Sequence, residues 1–85
     1  MATIAEFETK FVEGCAARGC VLVEQAPATE YMLSFALEQM DDKTIEAAIE
    51  QAVHTMQGRG VNAYTHLRIV PIQKGAAVAF GVNAP

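Results

Sequence analysis

Tyr64, His66 and Arg68 are the residues whose types and spacing most invite chemistry. They recur every second position, and residues two apart on an extended strand project from one face. A phenol, an imidazole and a guanidinium on one face could hold a small anionic ligand through charge and hydrogen bonds. The small residues Ala77, Ala79 and Gly81, expected beside them, would leave room for it. The plainer reading is structural, and it is preferred. Arg68 on a covered face needs an anionic partner. Glu38 is the acid expected there, with His66 and Tyr64 satisfied by hydrogen bonds. No catalytic residue is assigned, because one histidine without a nucleophile or an orienting acid does not make an active site.

The other reactive residues read as structural. His54 falls on the polar side of an amphipathic helix. Gly58-Arg59-Gly60 follows a helix instead of opening one, so it reads as a helix stop with an exposed arginine rather than an anion loop. Asp41-Asp42 suits helix capping and lacks metal-loop spacing. Cys15 and Cys20 are too few for a disulfide scaffold, and their C-x4-C spacing matches neither a redox pair nor a zinc site. They read as small buried hydrophobes. No metal or cofactor is expected.

These residues need elements to position them. Thr3-Ile4-Ala5-Glu6 has the pattern of a capping box, and Ile4, Phe7, Phe11, Val12 and Cys15 follow at helical spacing up to Gly19. Residues 20–25 are a short β-branched run and read as a strand. Residues 30–38 have helix-forming composition but alternate with the period of a strand, and strand is preferred over helix. Ile45, Ala48, Ile49, Ala52, Val53 and Met56 form the clearest amphipathic stripe in the chain, ended at Gly58. Residues 63–73 and 76–83 form a hairpin around Lys74-Gly75, pairing 73 with 76 and 69 with 80.

The order is therefore α-β-β-α-β-β in a single α+β domain over residues 1–85. Moving the last strand to the front gives β-α-β-β-α-β. The expected architecture is a two-layer sandwich resembling a circularly permuted ferredoxin-like fold, with a four-stranded antiparallel sheet and both helices on one face. Strand 76–83 belongs inside and strand 63–73 at an edge, where Pro71 is tolerated.

That sheet would turn Val21, Val23, Met32, Ala36, Val70, Ile72, Ala77 and Ala79 away from the helices. An antiparallel sheet with a wet face normally alternates apolar and polar residues, and this one would not. The expectation is a small non-catalytic interaction module, a homodimer packed through its apolar sheet faces. The alternatives are a protein or minor enzyme binding a small molecule, an anionic ligand included, at the subunit junction, and an acidic inhibitor of a basic protein partner.

Charge bounds the partners further. The 85 residues carry a net −4, with an apolar content of 52% that is too rich for a disordered chain. Ten acids and three bases fall in residues 1–50, a net −7, while residues 51–85 hold three bases and no acid, a net +3. The balance argues against a nucleic-acid or anionic-membrane partner. No apolar run approaches a membrane span, and the first residues show no signal-peptide pattern, so a cytoplasmic location with reduced thiols is expected.

Overall fold

The computed structural model describes residues 3–23, 28–36, 41–73 and 75–83, with the side chains of residues 34–36 and 76 outside that description. Helix α1 spans Ile4–Ala17 and helix α2 spans Asp42–Gly58. Both are capped as their sequences dictate. The Thr3 hydroxyl accepts from the Glu6 N–H at 3.1 Å, and the Asp41 carboxylate accepts from the Thr44 N–H at 2.8 Å. That backbone donor holds the Asp41 carboxyl below its ordinary value.

Both helices end in Schellman turns. Gly19 adopts φ 80°, and the Gly19 and Cys20 N–H groups donate back to the Ala16 and Cys15 carbonyls. In α2 the helix runs through Gly58, the residue expected to stop it, and Gly60 takes the left-handed position at φ 78°. There the Val61 N–H donates to the Met56 carbonyl, which draws Val61 against the core.

Among the described residues, five strands follow the α+β pattern: β1 Val21–Leu22, β2 Thr29–Ala36, β3 Ala63–Tyr64, β4 Leu67–Ile72 and β5 Gly75–Val82. The ambiguous segment is thus a strand over 29–36, with residues 37–40 outside the described set. The sheet order is β2-β5-β4, all antiparallel, with β5 in the middle and Pro71 on edge strand β4. The hairpin register pairs Ile69 with Val78 and Leu67 with Phe80. This is two residues away from the expected pairing, and a shift of two preserves every facing.

The expected four-stranded sheet does not form. β1 does not join β2 but pairs in parallel with β3 in a separate two-stranded sheet, Val21 opposite Ala63 and Leu22 opposite Tyr64. The cause lies in the segment expected to be one long strand, 63–73, which is broken at Thr65-His66. The Thr65 N–H donates to the Gly81 carbonyl at 2.8 Å, and the Gly81 N–H donates to the His66 carbonyl at 3.2 Å. Two residues thus oppose one, which is a β-bulge. The bulge turns β3 off the main ladder, and its carbonyls at Asn62 and Tyr64 then accept from the Val21 and Val23 N–H groups.

One face of the main sheet meets both helices. Phe7, Phe11 and Cys15 of α1 and the whole apolar stripe of α2 close on Val78, Phe80 and Val82 of β5. Tyr31, Leu33, Leu67 and Ile69 pack around them. Cys15 and Cys20 are both free and buried in this core. Burial, with Cys20 alongside, pushes the Cys15 thiol up to about 11, so it stays protonated at neutral pH.

Candidate functional site

The three residues singled out by spacing do not stay together. The extra residue of the bulge reverses the alternation upstream of it. Tyr64 therefore turns toward the helices and is buried at 2% exposure, with its hydroxyl pushed up by burial. His66 and Arg68 remain together on the opposite, open face.

Their acid is Glu30, a residue the sequence reading did not propose. The expected partner, Glu38, lies outside the described residues. Glu30 stands opposite Gly81 in the β2–β5 register. Its carboxylate takes His66 Nε2 at 2.9 Å and Arg68 Nη2 at 3.2 and 3.3 Å. A carboxylate can only accept, so Nε2 carries the proton, and in the neutral ring Nδ1 is an acceptor. The Thr65 hydroxyl lies 2.9 Å from Nδ1, donating to it when the ring is neutral and accepting from it when the ring is protonated. His66, and to a smaller extent Arg68, hold the Glu30 carboxyl below its ordinary value. The signal for Glu30 was its place on the strand-period segment, but only the register with Gly81 brings it to His66.

Gly81 makes this cluster possible. A Cβ on Gly81 would stand 2.2 Å from Thr65 Oγ1 and 2.4 Å from His66 Cε1, inside any real contact distance. The glycine lets the imidazole and the hydroxyl lie across the central strand and reach β2 on its far side. Every polar group in the cluster then has a partner within the chain: Thr65 with His66, His66 with Glu30, Glu30 with Arg68. Arg68 is the most exposed of them, its side chain 60% accessible.

The rest of the open face is apolar. Arg68, Val70 and Ile72 of β4 stand opposite Ala79, Ala77 and Gly75 of β5, and Met32 of β2 stands opposite Ala79. Ala77 and Ala79 are buried, while Met32 and Ile72 are 57% and 43% exposed. Val70 is half-buried. Ala36 holds the register position opposite Gly75, and its side chain is outside the described set. Val21 and Val23, expected on this face, belong instead to the β1–β3 region, with Val21 exposed. There Val12, Ala16, Leu22, Thr65, His66 and Leu67 help to line a groove of about 430 Å³.

A second link escaped sequence reading. Arg59, expected as an exposed cation, is half-buried at the end of α2. Its Nη1 donates to the Tyr31 hydroxyl at 2.9 Å, and its guanidinium lies 6.0 Å from that ring centre. Arg59 thereby ties the end of α2 to β2, and Tyr31 stacks on Phe80 at 5.8 Å. On the helical side, Arg18 of α1 bonds Glu46 and Glu50 of α2, and Lys10 reaches Asp42 at 2.6 Å. Part of the acidic helix surface is therefore answered within the chain. Among the described residues no group of three or more His, Cys, Asp or Glu side chains could hold a metal, and no helix is long and apolar enough to cross a membrane.

No family model matches the chain, no curated protein matches it, and no solved structure matches it.

Proposed function

We propose that this protein is a non-catalytic interaction module that binds a second copy of itself through the open face of its main sheet. One observation carries the reading: Met32 and Ile72 stand exposed on the same sheet face, at either side of a central strand of alanine and glycine. Exposed apolar side chains on either side of a strand of small residues suit close face-to-face packing of two sheets about a two-fold axis. The polar cluster at one end of the face favours this reading over ligand binding. Tyr64 is withdrawn into the core, and His66 and Arg68 are already bonded to Glu30, so the trio has no free donor set converging on a ligand. The order β2-β5-β4 is that of three strands of the permuted ferredoxin-like arrangement, and it supports treating the domain as a variant of that sandwich whose fourth strand has moved.

Solution mass tests the proposal. Light scattering at micromolar concentration is expected to show an assembly of two or more copies, and Ile72→Lys is expected to reduce it without loss of helical signal. A wild-type monomer at that concentration overturns the reading.

A further inference from the structure

The two edges of the main sheet are unlike. β4 carries Pro71, which has no N–H to donate, and the exposed cation Arg68. Both are devices that discourage another strand from adding to an edge. β2 has neither. It is eight residues long, without proline or lysine, and among the described residues it pairs only with β5. Its single ionised side chain, Glu30, is drawn across Gly81 to His66 and Arg68, away from the outer edge.

The area of the open face bears on the same edge. Three strands of eight, eight and six residues, spaced ~4.8 Å apart at ~3.3 Å per residue, give a flat area of roughly 350 Å². A stable interface takes about 800 Å² from each partner. One face falls short by about half, and a sheet of twice the width closes the gap.

We propose that the β2 strands of two copies pair edge to edge, antiparallel, about a two-fold axis perpendicular to the sheet. The result is one six-stranded sheet, β4-β5-β2-β2-β5-β4. It rests on the proposed role of the open face, and it supplies the width that role requires. The side chains select a second copy as the occupant. Strand β2 is bordered by core on one side, through Tyr31 and Leu33, and by the apolar open face on the other, through Met32. An added strand must be apolar toward the core and carry apolar surface at the middle of the open face, and β2 offers Tyr31 and Leu33 on the first side and Met32 on the second. The perpendicular axis keeps core beside core and open face beside open face. Parallel pairing would need an axis along the strands, which sets one copy's core face beside the other's open face. Antiparallel pairing centred on Met32 or Leu33 leaves the two Glu30 residues ~13–20 Å apart along the strands, so no like charges meet. Two such sheets then stack through their open faces into a tetramer.

Amide hydrogen exchange across a dilution series, read together with solution mass, tests this on the intact chain. Every second amide of residues 29–36 is expected to slow by about tenfold or more as the assembly forms. Wild type is expected at the tetramer mass. Ile72→Lys, which lies far from the β2 edge, is expected to fall to a dimer that keeps the alternating protection. If Ile72→Lys leaves the mass unchanged and the protection persists, the open-face reading fails while the edge pairing stands. If Ile72→Lys gives a monomer, or if the outward amides of β2 exchange fast at every concentration, the edge pairing is overturned. Protection that persists in a dilute monomer also overturns it, because the chain would then cover its own edge.

Discussion

The two faces of the β2-β5-β4 sheet are built from the same residues in alternation, yet they are finished differently. The helix-side face of β5 presents Val78, Phe80 and Val82, all fully buried against α1 and α2. The open face of the same strand presents Gly75, Ala77, Ala79 and Gly81. Bulk on the first face fills a core that is already complete within one chain. Smallness on the second face serves two ends. At one end Gly81 admits the Thr65-His66-Glu30 contact, and along the rest the small alanines leave Met32 and Ile72 as the exposed apolar side chains. A core side chain thus contributes to folding, and an open-face side chain contributes to what the folded domain can meet.

The sharpest way to break this contrast is to remove bulk from the core face. Phe80→Ala is expected to destabilise the domain by about 3–5 kcal/mol in chemical denaturation, since Phe80 is wholly buried and stacked on Tyr31. Next is the reverse change on the open face. Gly81→Ala places a methyl where Thr65 and His66 lie, at an expected cost of about 1–3 kcal/mol. It is also expected to abolish the His66–Glu30 contact in the imidazole nitrogen shifts. A Gly81→Ala protein of wild-type stability would show that the bulge closes without help from the glycine. Removing the Thr3 cap, which touches neither face, is expected to cost about 1 kcal/mol as Thr3→Ala and to leave solution mass unchanged. Ile72→Lys is expected to change denaturation stability by no more than about 0.5 kcal/mol when compared at concentrations where both proteins are dissociated. A loss on the scale of Phe80→Ala would mean that the open face is part of the folding core after all.

The smallest effect concerns pH. The Glu30 carboxyl sits below its ordinary value of 4.5 in the folded chain. A depressed carboxyl stabilises the fold fully above its unfolded value, and the contribution is lost as pH falls through the folded value. Wild type is therefore expected to lose stability below about pH 4.5 more steeply than Glu30→Gln, with no difference in slope between pH 5 and 6. Equal slopes in the acid range would remove Glu30 from any structural role.

Both helices, their N-caps and the apolar stripes were legible in the sequence because those signals are local. The choice of strand for 30–38 was legible from its period, and the strand observed spans 29–36, with 37 and 38 outside the described residues. The central place of β5 followed from its lack of charge, and the edge place of β4 from Pro71. The facing of the hairpin survived an error in register because the shift was even. Tyr64 was misplaced for the opposite reason. A bulge is a single-residue offset, and nothing in Tyr-Thr-His-Leu announces one. The clue sat fifteen residues downstream at Gly81, whose missing side chain is what the bulge occupies. The pairing of β1 with β3 followed from that same bend, so it was out of reach once the bend was missed. Arg59 was read as an exposed cation and Glu30 was given no role, because their partners lie on other strands and come near only through the fold.

The bulge also works as a phase shifter. Upstream of His66 the chain is read one residue out of step with the strand that follows. Held in strict alternation without the bulge, the same residues would carry Tyr64 out of the core into solvent, whereas deleting Thr65 would remove the bulge and leave Tyr64 facing the core. Insertions and deletions are tolerated where a loop can absorb them. Between Tyr64 and Leu67 the bulge does that work inside a strand, taking up one surplus residue and returning the chain to phase with the core.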